Sequence, residues 1–125
     1  MKKEIAEKAT NWWVDKIIAL DHHDNGAKDD SNKMAMLMMD IIASKSTVSE
    51  SQILIFKESL IRDLISYKRE SIVFGVDYNP DEILYNAIKK AKINSYRLPI
   101  KTYMKINNDK IFVSEGYGSS YLELH

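Results

Sequence analysis

The stretch SIVFGVDYNPDE, residues 71–82, decides the fold, because a strand ends and a helix begins within it. Residues 71–77 are β-branched, aromatic and almost continuously apolar, which predicts a short buried strand. Asn79 as an N-cap, Pro80 at the first helical position and the acidic residues after it predict a helix start. The chain therefore changes at this point from a helical segment to a unit that contains strands.

Three helices are predicted before this stretch. The first covers residues 2–20 and has its apolar side chains on one stripe, and the second covers residues 32–44 and is apolar over much of its circumference. The third begins after Ser49, which forms a capping box with Gln52, and extends to about residue 69.

Beyond residue 82 the pattern predicts a fourth helix, which ends near Lys92, and then two strands over residues 99–106 and 110–115. Residues 107–109 form the turn between these strands. A strand, a helix and a hairpin in this order predict a small mixed or antiparallel sheet with a right-handed crossover. We therefore predict one α+β domain over residues 1–125, with an N-terminal three-helix segment followed by a β-α-β-β unit.

The composition excludes several classes of protein. The 125 residues contain no Cys, which excludes disulfides, thiol catalysis and zinc ribbons. The first residues lack the pattern of a signal peptide, and no segment approaches the roughly 18 apolar residues of a membrane span. The expectation is a soluble cytoplasmic protein with no membrane partner.

Residues 89–110 are strongly basic although the whole chain has no net charge. One acidic residue, Asp109, stands against seven basic ones: Lys89, Lys90, Lys92, Arg97, Lys101, Lys105 and Lys110. This local excess favours a small anionic ligand over a nucleic acid, since general nucleic-acid binders usually carry a basic balance overall. The alternative is a set of solvated lysines on a helix face and an edge strand, where Lys also prevents aggregation.

The motifs of catalysis are weak. Four glycines cannot build a Walker loop or a dinucleotide fingerprint, so we predict no enzyme, no catalytic residue and no cofactor. Residues 21–24, Asp-His-His-Asp, have ligand types suited to Zn, Mn or Fe, but would need further acids such as Asp29, Asp30 or Asp40. A solvated loop with capping acids is the other interpretation, and we predict no metal site.

The segment 115–121 combines glycines with aromatic rings near the end of the chain. Glycine lets the backbone approach a ligand closely, and Arg97 and Lys101 lie in the neighbouring hairpin region. Together they would bind phosphates by charge and stack a base on Tyr117 or Tyr96. A frayed C-terminal strand explains the same residues without a ligand.

Four segments together resemble the Thoeris anti-defence 1 family of small bacteriophage proteins. They are Asp24-Asn25-Gly26 with Asp30-Ser31 before a Met-rich helix, and residues 76–81, 101–104 and 113–118. The likeness covers the chain from Trp12 to Tyr117.

The resemblance implies a protein that binds cyclic ADP-ribose isomers made by the host's immune sensor and holds them unhydrolysed in the infected bacterial cell. It also implies dimers or larger homo-oligomers with ligand sites near subunit boundaries. Residues of the types that a pyrophosphate and an adenine require are Arg97, Lys101, Tyr96, Asn94 and Tyr117. Lys28 stands where a basic residue is expected after the Asp-Asn-Gly turn. The chain has only three arginines, which departs from a multi-arginine pocket.

Two other functions remain open at this point. A phage inhibitor that acts by direct protein contact, like an anti-CRISPR protein, is motivated by the Met and Trp content, because these residues are enriched in interface cores. A metal-dependent phosphohydrolase would use His22, His23 and Asp24. The Met-rich second helix and the paired tryptophans also predict a homo-oligomer, since a domain of this size is not expected to bury so much apolar surface alone.

Overall fold

The computed structural model describes residues 1–19, 48–116 and 118–125. The described elements, in chain order, are α1 (Lys3–Ala19), α2 (Glu50–Ile65), β1 (Ser71–Val76), α3 (Glu82–Ala91), a 3-10 turn (Ser95–Arg97), β2 (Thr102–Asn107), β3 (Lys110–Glu115) and β4 (Leu122–Leu124). The predicted helix over residues 32–44 lies outside the described residues.

The four strands form one sheet in the order β1-β2-β3-β4, and every neighbouring pair is antiparallel. The structure is therefore α+β, but the predicted architecture of three N-terminal helices followed by a β-α-β-β unit is wrong. The described elements run helix, helix, strand, helix and then three strands, and the last of these, β4, was not predicted.

The predicted right-handed crossover is also absent from the described sheet, because β2 pairs antiparallel with β1. The reason is the path after α3. This helix is about 15 Å long, at about 1.5 Å per residue, and Lys92 closes it with a positive φ of 58°. Residues 92–101 then return to the end of the sheet where β1 stopped, so that Thr102 pairs with Val76.

The start of α2 confirms the predicted capping box. The Ser49 hydroxyl accepts a hydrogen bond from the Gln52 backbone N–H at 3.1 Å, and the Gln52 side-chain oxygen accepts from the Ser49 N–H at 2.9 Å. The Gln52 amide nitrogen also donates to the carbonyls of Ala91 and Lys92, at 3.2 and 3.0 Å. One side chain thus caps α2 and ties it to the C-terminal end of α3, where free carbonyls need donors.

The start of α3 differs from the prediction. The N-cap is Asp81 rather than Asn79, and Pro80 forms an isolated bridge with Val76 instead of opening the helix. The Asp81 carboxylate does not cap the helix; it accepts from the Gly75 N–H at 3.0 Å, and the Asp81 N–H donates to the Gly75 carbonyl at 2.9 Å. The polar residues after β1 therefore form a turn that folds back and hydrogen-bonds to the strand.

The core lies between the helices and one face of the sheet. Alternation along β2 buries Thr102, Met104 and Ile106 and leaves Tyr103 and Lys105 half-buried on the other face. The largest fully buried side chains are Trp13, Phe56, Phe74, Ile17, Leu60, Leu64 and Leu84. Each of the described helices is too short or too polar to cross a membrane.

Candidate functional site

The candidate site lies at the end of the sheet where β1 ends, β2 begins and β3 ends. Two backbone hydrogen bonds extend the ladder beyond the strands: Lys101 N–H donates to the Asp77 carbonyl, and Gly116 N–H donates to the Lys101 carbonyl, both at 2.8 Å. Three segments that are distant in sequence are thereby held side by side, with Asp77, Lys101 and Gly116 in one row.

Lys101 is the central cation of this row. Its ammonium forms an ion pair with Oδ1 of Asp77 and lies 4.5 Å from the centroid of the Tyr78 ring. Its side chain is only 20 % exposed, and its backbone has a positive φ of 53°. A lysine in this sparsely allowed conformation persists because the neighbouring segments hold it there. The position of the charge is therefore fixed by the fold.

Asp77 accepts a second hydrogen bond at the same oxygen, from the Tyr103 hydroxyl at 3.0 Å. The hydrogen bond from Lys101, followed by that from Tyr103, lowers the pKa of Asp77. Removal of the Tyr103 hydroxyl from water, followed by its bond to the Asp77 carboxylate, raises the pKa of Tyr103. At neutral pH the carboxylate is ionised and the phenol is protonated, which is the pairing that the geometry requires.

This arrangement predicts the acid titration of Asp77. Its carboxyl should titrate below its ordinary pKa of 3.8, so the stabilisation it contributes is present at neutral pH and is lost as the pH falls through the lowered value. Carbon-detected NMR of the carboxyl should show an upward shift in Tyr103→Phe and a larger one in Lys101→Met, because Lys101 is the main cause. Identical titration curves in the wild type and both variants would contradict the hydrogen bonds that Lys101 and Tyr103 donate to Asp77.

Arg97 and Tyr96 form a second pair of a cation and a ring. The guanidinium carbon of Arg97 lies 5.9 Å from the centroid of the exposed Tyr96 ring. Arg97 itself is buried, with 2 % exposed, and sits in the 3-10 turn that Asn94 precedes. Asn94 is exposed and makes no side-chain cap to this turn. The structure thus places Arg97 inside the protein, although the sequence suggested a ligand-facing charge.

A third pair was missed by sequence reasoning. Lys89 lies 5.8 Å from the centroid of the exposed Tyr85 ring on α3. The two residues are four apart on a helix, a spacing that places side chains on the same face and could have identified them. Asp77 and Tyr103 were also missed, and no local signal marks them, because they meet only across the antiparallel β1-β2 pair.

Several predicted site residues cannot be placed. Tyr117 and Lys28 lie outside the described residues. The same is true of the candidate metal ligands His22, His23, Asp24, Asp29, Asp30 and Asp40. Within residues 1–19, 48–116 and 118–125, no group of three or more His, Cys, Asp or Glu side chains is arranged to hold a metal ion.

Comparisons with known proteins add no assignment. No model of a protein family matches the chain, and no curated protein matches it either. The resemblance to the Thoeris anti-defence 1 family therefore stays a prediction.

The described residues offer three pairs of a cation and an aromatic ring. Three exposed tyrosines each carry a basic side chain over or beside the ring, and all six residues fall within residues 78–101. An aromatic ring offers a stacking surface to a flat base, and a nearby cation attracts phosphate oxygens. The pair formed by Tyr78 and Lys101 can therefore contact a ligand that combines these two chemical groups.

Proposed function

We propose that this protein binds a small nucleotide of the cyclic ADP-ribose type and sequesters it without hydrolysis. In this proposal it is a phage anti-defence protein that acts in the cytoplasm of the infected bacterial cell. The observation that supports it best is the pair formed by the exposed Tyr78 ring and Lys101, whose ammonium lies 4.5 Å from the ring centroid.

Contacts of these two kinds each contribute measurably to binding. Stacking of a base on an aromatic side chain contributes about 1–3 kcal/mol. A hydrogen bond to a charged group contributes roughly 1.5–3 kcal/mol. Because the backbone and ion pair already hold Lys101 in place, little rotamer freedom is lost when a ligand arrives.

A phosphate at Lys101 competes with the Asp77 carboxylate. The Asp77 side chain is 56 % exposed whereas that of Lys101 is 20 % exposed, and an ion pair with one partner open to solvent contributes little. The competition therefore costs less than a phosphate contact contributes. Asp77 also keeps the ammonium beside the ring while the site is empty.

The proposal includes a homo-oligomer and neither a nucleic-acid nor a membrane partner. The chain has equal numbers of acidic and basic residues, so its overall field does not attract a long polyanion. A compact ligand with two phosphates needs only the local charges of residues 78–101.

The test is a heat-release experiment with the full chain. The protein is incubated with cyclic ADP-ribose isomers, freed of unbound ligand and denatured, and the released material is identified by mass spectrometry. Intact nucleotide supports sequestration. Cleaved product would show an enzyme, and no bound nucleotide would overturn the proposal and favour an inhibitor that acts by protein contact.

Lys101→Ala is expected to weaken binding of the released nucleotide at least about tenfold, through the loss of one charge-assisted contact. Tyr78→Ala should weaken it by a similar factor through the loss of the stacking surface. Isothermal titration calorimetry measures both. Arg97→Ala is a poorer test, because this buried side chain is part of the packed interior.

Lys90→Ala is the matched control for these variants. Lys90 is an exposed lysine in the same basic segment, in the last turn of α3. Its replacement should change the affinity by less than about twofold, because an exposed charge that lies beside no ring of the described residues acts only through screened electrostatics. Equal losses of affinity in Lys90→Ala and Lys101→Ala would show that binding depends on the overall charge of the segment and not on a site at Lys101.

A further inference from the structure

The outward face of α2 carries large apolar side chains. Leu54, Ile55 and Ile65 are each at least 40 % exposed. They lie on the side of the helix opposite to Leu60, which is fully buried in the core. An amphipathic surface helix normally presents polar residues on this side. A second apolar stripe here therefore indicates a surface that another protein chain covers.

The order of residues along this face is symmetric about position 60. Ile55 and Ile65 stand five positions on either side of it, and Glu58 and Arg62 stand two positions on either side. Spacings of three and four residues keep all four on one face. If a second α2 runs antiparallel across a two-fold axis at this position, Ile55 faces Ile65 of the second copy. In the same register Glu58 faces Arg62 of the second copy, and each contact occurs twice.

The two charges are available for such a contact. Glu58 and Arg62 are exposed and one helical turn apart, yet neither forms an ion pair with another residue in the described ranges. Opposite charges that meet across an isologous interface fix its register.

A groove next to this face adds apolar surface to the contact. It has a volume of about 590 Å³ and lies between α1 and the second half of α2, where Ile61 and Ile65 supply apolar surface. Its far wall carries Lys3 and Glu7 of α1. The antiparallel register brings Leu54 of the second copy opposite Ser66, which also lines this groove.

We propose that the outward face of α2 is a two-fold docking surface for a second copy of this chain. The inference gives a surface to the homo-oligomer of the proposed function and rests on it in that respect, but none of its residues belongs to the candidate nucleotide site. Because each copy contributes one helix face, we expect a reversible dimer with a dissociation constant on the order of micromolar.

Sedimentation equilibrium of the full chain over a range of concentrations tests this surface. The wild type should dimerise reversibly. Glu58→Arg should raise the dissociation constant at least about tenfold, because Arg then faces Arg, and Arg62→Glu should do the same. The double variant Glu58→Arg/Arg62→Glu should return within about threefold of the wild type, because opposite charges again meet across the axis.

Lys90→Glu is the control, since it makes the same charge change as Arg62→Glu on another exposed helix, and it should leave the dimer unchanged. Circular dichroism checks that each variant folds. A monomeric wild type, single variants that dimerise normally, or a double variant that fails to recover would each overturn the inference. Nucleotide binding is measured separately, so failure of the dimer and failure of nucleotide sequestration are distinguishable.

Discussion

Replacing Gly75 by alanine is expected to lower the free energy of unfolding by at least about 3 kcal/mol, which is the upper end of ordinary overpacking costs. Small domains have about 5–15 kcal/mol of stability in total. The variant should therefore be strongly destabilised or fail to fold.

The reason is the close approach of β1 and β2 at this position. A Cβ on Gly75 would lie 2.2 Å from the Thr102 carbonyl oxygen and 2.7 Å from the Tyr103 Cα. Both are backbone atoms, which cannot rotate away as a side chain can. The strands must separate, and the hydrogen bond from the Gly75 N–H to the Asp81 carboxylate is strained with them.

The same separation should disturb the candidate site. Gly75 lies two residues before Asp77, and its paired residue Tyr103 donates to the Asp77 carboxylate. Any Gly75→Ala protein that folds should therefore also show a raised Asp77 pKa, since the Tyr103 bond contributes to lowering it.

Gly118→Ala is the control for the stability measurement. Gly118 has a positive φ of 66° and no atom within 4 Å of the added Cβ, so only backbone strain changes. This strain costs about 1–2 kcal/mol. Urea denaturation followed by circular dichroism measures both variants. An unchanged midpoint in Gly75→Ala would contradict the register of β1 against β2.

Trp13→Ala is expected to cost about 3–5 kcal/mol, the usual range for the loss of a buried large aromatic side chain. Trp13 is fully buried, and its ring centroid lies 6.0 Å from that of Phe74 on β1. It therefore joins α1 to the sheet, and its removal leaves a cavity between the two layers.

Trp12→Ala is the natural comparison, because the two rings stand edge to face at 5.0 Å and belong to adjacent residues. Trp12 is only half-buried, and the Lys16 ammonium lies 4.9 Å from its ring centroid at the surface. Its loss should cost less than half as much as that of Trp13. Equal losses of stability in Trp12→Ala and Trp13→Ala would contradict the orientation of α1.

Trp13→Phe separates packing from hydrogen bonding. The indole N–H of Trp13 is buried with no hydrogen-bond partner among the described residues. Such a group carries a desolvation cost of about 1–3 kcal/mol. Phenylalanine removes that group along with part of the volume, so the variant should be clearly more stable than Trp13→Ala.

The elements that were predicted well depend on neighbours in sequence. The Ser49–Gln52 capping box and the strand over residues 110–115 appear as expected, and a turn precedes that strand. The turn is tighter than predicted: Asn107 pairs with Lys110, and Asn108 adopts a positive φ of 55°. Asn tolerates this conformation, so the signal was local.

The candidate site could be predicted only in part. Lys101, Tyr96 and Arg97 were predicted as ligand-binding residues from residue type and local charge, and the structure places a ring beside each cation. Residue type and charge do not show how deeply a side chain is buried, however. Arg97 is buried whereas Tyr96 is exposed. Asp77 and Tyr103 lie in segments 76–81 and 101–104, but nothing in those segments predicts that their side chains meet that of Lys101.

The sequence by itself determined the bounds of most helices and strands, since capping, turn chemistry and apolar periodicity act within a few residues. Only the tertiary structure decided the direction of β2 and the close approach at Gly75. It alone also decided that the side chain of Asp77 contacts those of Lys101 and Tyr103, which lie 24 and 26 residues further along the chain. These features depend on where the chain returns after α3, and that path is set by many weak contacts between segments, which no local pattern encodes.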